Sequence, residues 1–286
     1  MKFDPAISRR ACTVDPDHAA LVAAANDGAA LCTVVSIDGS FSRRCGAQVA
    51  VLPCGSVVGD LADTCLEREL AAIAARITGP LTLRFGKNSP MIDFRLPCGG
   101  GLDILIDPFP DRLAIAKAIE DLEKRRETSL TLAANSGMVE RRYMPSLTVF
   151  AYGEGSELDS FVRLGEAAAI NVEAVHKWDL TLGRAPDRKP PDRWSAVLLL
   201  FHDHEWELPL LTRALEGDAF FIGAQGGERA RDARLKALES KGFGASQRAR
   251  VKSPVGATSG SRTPQALALA ALNDIVASYE KLHPHG

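Results

Sequence analysis

Along the first half of the chain the apolar residues come in short runs broken by glycine and polar clusters. Along the second half they come in longer runs, with strand-like and helix-like spacing in alternation. In the first half, "DPDHAALVAAAND" opens on a capping Asp15 followed by Pro16 and closes near Gly28, which predicts a helix. "ALCTVVSI" is apolar and β-branched, as in a buried strand. A turn-rich "DGSFSRRCG" leads to a second strand, "AQVAVLP", and "CGSVVGDLAD" reads as another turn. Thr64 caps the helix predicted for "TCLERELAAIAARI". "LTLRFG" and "LDILIDP" are strands, "DRLAIAKAIEDLEKRR" an amphipathic helix, and "SLTLAANSGMVERRYM" a hairpin turning at Asn135–Ser136–Gly137.

The second half reads strand, glycine turn, helix, then repeats. "SLTVFAYGEGSELDSFVRLGEAAAI" and "NVEAVHK" precede a Pro/Arg/Asp-rich connector, "GRAPDRKPPDR". "WSAVLLLF" is continuously apolar, as a parallel strand buried on both faces is. Helix, strand and helix follow, and the last helix is capped by Thr263 with Pro264 in its first position. This pattern predicts an α/β protein of two domains. Residues 1–143 form a mixed α/β domain and residues 144–286 a Rossmann-like, doubly wound parallel sheet.

Composition narrows the function classes. The 286 residues carry 34 Lys+Arg against 36 Asp+Glu, a net charge of −2 without long like-charge runs. That balance offers no footprint for nucleic acid or a membrane surface. No window is apolar enough to span a bilayer, and "MKFDPAISRR" lacks the apolar core of a signal peptide, so a cytoplasmic location is expected. All six cysteines, Cys12, Cys32, Cys45, Cys54, Cys65 and Cys98, lie in the first 98 residues and form no CxxC pair. Thiol chemistry therefore belongs to the front domain, without a zinc ribbon or thioredoxin motif.

Candidate chemistry falls at five places. Cys98 stands directly before Gly99–Gly100–Gly101, whose bare backbone can aim N–H groups at a ligand. Cys65–Leu66–Glu67 opens a helix, where unpaired amides lower a thiol's pKa and Glu67 opposes them. Gly153–Glu154–Gly155 has the context of a dinucleotide fingerprint, but Leu158 takes the third glycine position, and His176 and Lys177 stand where an acid would hold the ribose. His202–Asp203–His204 ends a parallel strand, suited to a polar ligand-facing loop or to metal ligation. Gly223 to Arg229, with Gly226 and Gly227, offers amides and a guanidinium to an anion. Each also has an ordinary reading, as a βα turn or a buried cysteine.

In order and spacing these motifs resemble the XdhC/CoxI family, maturation factors for molybdenum hydroxylases. In the front half the resemblance rests on Gly39–Ser40–Phe41–Ser42–Arg43–Arg44–Cys45–Gly46, Cys65–Leu66–Glu67 and Leu96–Pro97–Cys98–Gly99–Gly100–Gly101–Leu102–Asp103. In the back half it rests on Phe201–His202–Asp203–His204, Gly223 to Arg229, and Pro254–Val255–Gly256 followed by Thr263–Pro264. The resemblance implies a cytosolic chaperone with a Rossmann-type C-terminal domain, an accessory protein rather than an enzyme. It would bind the molybdenum cofactor in its molybdopterin or nucleotide form. It would also work with a cysteine desulfurase in converting Mo=O to Mo=S, deliver the product to the apo-hydroxylase, and form a homodimer. The implied binding residues are Gly39, Ser40, Arg43, Gly46, Cys65, Glu67, Cys98, Gly99, Gly100, Gly101 and Asp103 in front. Behind they are Gly153, Gly155, His202, Asp203, His204, Gly223, Gly226, Gly227 and Arg229. Cys65 and Cys98 are the candidate molybdenum ligands or sulfur carriers.

The sequence also departs from that family. Gly59–Asp60–Leu61–Ala62–Asp63–Thr64 replaces a run rich in serine and glycine, adding two acids before Cys65. Leu158 and His176 replace fingerprint residues, and Glu207 stands where an aspartate is usual. Two further functions therefore stay open: an oxidoreductase or transferase using NAD(P) or another nucleotide, and a docking partner that holds no cofactor.

Overall fold

The computed structural model describes residues 15–90, 99–256 and 262–285. The chain divides into two compact units, residues 1–145 with 283–286, and residues 146–282.

The first unit is built on a five-stranded antiparallel sheet. Its strands are β1 (Ala30–Asp38), β2 (Gln48–Val51), β3 (Val57–Gly59), β4 (Leu81–Gly86) and β5 (Gly101–Asp107), in the order β3-β2-β1-β5-β4. Alternation along β1 sends Cys32 and Val34 to one face and Leu31 to the other. Helix α2 (Thr64–Ala74) covers the first face through Leu66 and Leu70, packed with Val49, Phe85 and Ile104. Helices α1 (Pro16–Ala24) and α3 (Arg112–Glu123) cover the second through Leu21, Ala24, Ile115 and Ala118. A hairpin, β6 (Thr128–Thr131) and β7 (Glu140–Tyr143), closes that second layer with Leu130 and Tyr143. Two local expectations differ from the structure. The turn expected over residues 54–63 contains strand β3, whose three residues pair with β2. The cap of α2 is Asp63 rather than Thr64, its carboxylate accepting the N–H groups of Cys65 and Leu66.

The second unit is a parallel sheet of β8 (Thr148–Gly153), β9 (Asn171–His176), β10 (Ser195–Leu200), β11 (Phe221–Ala224) and β12 (Val251–Lys252), in the order β9-β8-β10-β11-β12. All six residues of β10 are buried, because helices lie on both faces. Helix α4 (Gly155–Ala167) packs on β8 and β9 and against the terminal helix α8 (Pro264–Glu280). Helix α5 (Glu207–Glu216) and helix α6 (Glu228–Ser240) share the other core, through Leu210, Leu211, Ala214 and Leu238. A short α7 (Ala245–Arg248) leads into β12. The chain leaves β8 toward β9 and returns on β8's other side as β10. The carboxyl ends of β8 and β10 thus form the topological switch point, where such sheets leave a crevice. No described helix is long and apolar enough to cross a membrane.

Candidate functional site

Register gathers the front motifs at one end of the antiparallel sheet. Asp38 at the end of β1 faces Gly101 at the start of β5, and β3 ends at Gly59 opposite Val49. The segment 39–47 leaves from this end and touches both neighbours. On one side Arg43 forms an ion pair with Asp60, and its Nε donates to the Asp60 carbonyl at 3.3 Å. On the other side, a Cβ on Gly100 would stand 2.9 Å from the Asp38 carbonyl oxygen and 3.0 Å from that of Ser40. Only glycine allows that approach. Cys98, with residues 91–97, lies outside the described residues.

The third glycine of this turn has a different neighbour. The Arg84 guanidinium lies against Gly101 and fills the place a Cβ would take. It donates to Asp103 Oδ2 at 3.0 Å, Asp38 Oδ2 at 3.1 Å and the Lys87 carbonyl at 3.0 Å. Asp103, expected as a binding residue, is thus held by a protein cation, and Gly101 gives room to that cation.

At the start of α2 the chain's own carboxylates take the amides. Asp63 Oδ1 accepts from Cys65 at 2.9 Å and from Leu66 at 3.0 Å, while Glu67 Oε1 reaches back to the Leu61 N–H at 2.8 Å. Glu67 therefore pins the preceding loop. Cys65 carries an exposed thiol in this first turn. The other described cysteines lie elsewhere or are enclosed. Burial pushes the Cys32 thiol up to about 12. Burial also raises Cys45, whose Sγ donates to the Val35 carbonyl at 3.3 Å. Cys54 is exposed and the Ser56 hydroxyl lowers its pKa, but it lies in the β2–β3 turn, at the opposite end of the sheet. Among the described residues no cluster of three or more His, Cys, Asp or Glu side chains could hold a metal ion.

In the second unit the switch point brings together Gly153–Glu154–Gly155, Lys177 and His202–Asp203. A Cβ on Gly153 would collide with the Leu200 carbonyl, so this glycine lets β8 and β10 run side by side. Lys177 Nζ bridges Glu154 Oε1 at 3.3 Å and Asp203 Oδ2 at 3.5 Å, and His202 Nε2 lies 3.5 Å from Glu157 Oε2. Helix α4 has no side-chain cap, and Glu157 in its first turn supplies the negative charge its N-terminus favours. His204 turns elsewhere, with Nδ1 3.0 Å from Glu207 Oε1.

His204, Gly227 and Arg229 line an open cavity of about 590 Å³ at the start of α6. Gly226 stands beside it, and a Cβ there would meet His204 Cε1 at 3.1 Å. Gly223 lies within β11, packed by Phe221 and Val255, and does not line the cavity. Another cavity, about 630 Å³, lies between residues 183–187 and α5 and contains none of the expected residues. Among the described residues, two polar atoms, His176 Nδ1 and Gln225 Oε1, are buried without a hydrogen-bond partner. Both residues stand where a strand of the parallel sheet ends, at β9 and just after β11.

Sequence reasoning missed two buried arginines that fix these loops. Arg141, 1% exposed, pairs with Asp17 Oδ2 at 2.6 Å and donates to the Gly46 carbonyl at 2.5 Å. Gln48 extends this network by accepting from the Tyr143 hydroxyl at 2.6 Å and donating to Thr33 Oγ1 at 2.8 Å. Arg234, 5% exposed, pairs with Glu207 and donates to the Gln225 carbonyl and Ser253. The signal for Arg141 was the alternation of "ERRY", which puts it on the buried face with Tyr143.

Comparison with known proteins gives a consistent picture. The profile of the XdhC and CoxI family matches residues 22–86, and that of the XdhC Rossmann domain matches residues 149–275. A molybdenum cofactor insertion chaperone, PaoD of Escherichia coli (strain K12), is 29% identical over 267 residues, covering 87% of this chain and 82% of that protein. A crystal structure described as a xanthine dehydrogenase from Bacillus halodurans superposes with a TM-score of 0.71 at 15% identity, covering 94% of this chain and 96% of that one. That likeness is one of fold. With both units matched, the chain belongs to the XdhC and CoxI family.

Proposed function

We propose that this protein is a maturation chaperone that carries the molybdenum cofactor as cargo and delivers it to a molybdenum hydroxylase. The supporting observation is that the loop carrying Arg43 and the Gly99–Gly101 turn stand at one end of the front sheet, the end at which β3 finishes and leads to the exposed Cys65. A guanidinium suits a phosphate tail, and a thiolate suits a soft metal centre. Gly39, Ser40 and Gly46 shape the loop that presents Arg43, and Cys98, next to Gly99 in sequence, is included as a candidate sulfur ligand on the family resemblance alone. PaoD, described as an insertion chaperone, lends the same reading to its relative here. A cysteine desulfurase as sulfur source, a homodimeric assembly and a cytoplasmic location complete the proposal.

The test is to purify the tagged chain from cells that make the cofactor. Molybdenum is measured by mass spectrometry, pterin by fluorescence after oxidation, and companion proteins by peptide identification. The expected result is molybdenum and pterin together with hydroxylase subunits, both cofactor signals falling severalfold in Cys65→Ala and Cys98→Ala. A partner captured without pterin would replace this reading with that of a cofactor-free docking protein.

The second unit supports a further reading, nucleotide binding at the carboxyl edge of its sheet. Its specific observation is the pair of orphaned atoms there, His176 Nδ1 and Gln225 Oε1, since buried polar groups without partners call for a ligand or water. Against a dinucleotide stand Glu154 and Glu157 at the start of α4. Nucleotides at millimolar concentration should raise the melting temperature if this reading holds, and leave it unchanged if the unit is structural.

A further inference from the structure

Arg43 is a partly exposed cation at the front site, and it is already engaged. Its Nη2 pairs with Asp60 Oδ2, its Nε donates to the Asp60 carbonyl at 3.3 Å, and its Nη1 donates to the Ser42 carbonyl at 2.9 Å. Asp60 is held in turn, since its Oδ1 accepts the Ala62 N–H at 2.5 Å. The pair is half-exposed, with 34% of the Arg43 side chain and 46% of the Asp60 side chain accessible, so an incoming ligand can reach it from solvent. Burial works to raise the Asp60 carboxyl, but the Ala62 N–H and Arg43 outweigh it and hold the group below the usual carboxylate range. Asp60 therefore stays ionised at neutral pH. The loop behind it is fixed independently, because the Leu61 N–H is bound by Glu67.

We infer that Asp60 sets the affinity of the front site by acting as an internal counter-anion, holding Arg43 until the phosphate of the cargo displaces it. This rests on the reading that the front site binds a phosphate-bearing pterin cofactor. Through its carboxylate and its carbonyl, Asp60 occupies the Nε–Nη2 edge of the Arg43 guanidinium, an edge on which a phosphate is bound bidentately. Binding of the phosphate thus costs the Arg43–Asp60 pair and brings two like charges together. Release of the cargo restores the pair. An exposed pair of this kind is modest in strength, which suits a carrier that must let go.

The experiment uses the full chain and cofactor freed from a purified molybdoenzyme by brief heating under anaerobic conditions. Retained molybdenum and pterin are titrated for the wild type, Asp60→Asn, Arg43→Gln and the double variant. Asparagine keeps an oxygen for the Ala62 N–H and removes only the charge. Asp60→Asn should bind about fivefold more tightly, a gain on the scale of one partly exposed charge pair, and be released more slowly. Arg43→Gln should bind more weakly, and the double variant should match Arg43→Gln, because Asp60 acts only through Arg43. Melting curves identify any variant that fails to fold, and Asp60→Ser then gives a second removal of the charge. Equal affinity in wild type and Asp60→Asn, or a gain that persists without Arg43, overturns the inference while the site itself stands. Failure of every form, wild type included, to retain cofactor overturns the reading of the site as well.

Discussion

In the first unit a buried arginine, Arg141, reaches from the β6–β7 hairpin to pair with Asp17 and hold the Gly46 carbonyl, at the end of the loop that carries Arg43. In the second unit Arg234 reaches from α6 to pair with Glu207 and hold the Gln225 carbonyl, at the start of the glycine turn before α6. The same device fixes a loop in each unit, yet the loops offer different chemistry. In front, the loop delivers a half-exposed guanidinium, paired with Asp60 in the segment that leads to the exposed Cys65. Behind, the switch-point cation Lys177 is bridged by Glu154 and Asp203, and the free valences are amides and two orphaned polar atoms. The front end suits a ligand that competes for charge. The back end suits one that brings hydrogen-bond partners without much added negative charge.

Breaking each arginine separately tests whether the devices are equivalent. Removing one partner of a buried pair leaves the other charge uncompensated, at a cost of about 3–5 kcal/mol. Arg234→Ala should have the largest effect, because Glu207 is 1% exposed and loses guanidinium bonds at both of its oxygens. Arg141→Ala follows closely, since Asp17 is 8% exposed and its other oxygen keeps the Gln48 N–H. Denaturant titrations of the full chain should show each variant lowering one transition. If both lower the same transition equally, the two units unfold as one.

Acid separates the units more gently. Burial, with Arg44 and Arg141 nearby, pushes His283 down to about 3, and burial likewise lowers His18 and His285, all three in the first unit. A histidine depressed on folding binds its proton more readily when unfolded. Its contribution is therefore complete above about pH 6.5 and is lost as pH falls from there toward 3. Asp17, raised by burial despite Arg141, acts in the opposite sense near the foot of this range. Melting of the first unit should fall between pH 7.5 and 5, and His283→Gln should flatten that slope. A slope unaltered by the substitution refutes the assignment to His283.

How much of this was legible depends on how local the cause is. The parallel strands were plain because "WSAVLLLF" must be buried on both faces, and the helix starts at Asp15 and Thr263 follow from caps one to three residues away. Strand β3 was not legible, since "VVG" is too short to carry a period and exists only because β2 offers an edge. The site motifs were found as separate pieces. Their meeting was not, because it depends on the register that sets Asp38 against Gly101. Gly101 looked like an amide donor and proved to be a seat for Arg84, a residue 17 positions earlier and on the neighbouring strand. Buried Arg141 and Arg234 defeated composition-based reasoning, which sends arginine to the surface.

The smallest effects probe the helix starts, where the two units differ most clearly. Helix α2 is capped by Asp63, whereas α6 begins at Gly227 without any side-chain cap. Asp63→Ala should cost about 1 kcal/mol by freeing the Cys65 and Leu66 amides. Gly227 has extended backbone, and a Cβ there meets nothing within 4 Å, so an aspartate fits without strain. Gly227→Asp should therefore stabilise the second unit by a few tenths of a kcal/mol, about the difference between glycine and a carboxylate cap. The same carboxylate would take the amides that an anionic ligand of this turn needs. A variant that melts higher yet loses a nucleotide-induced shift would place the ligand at α6. One that melts higher and keeps the shift would move it to the β8–β10 crevice, and one that melts lower would show that these amides already have partners.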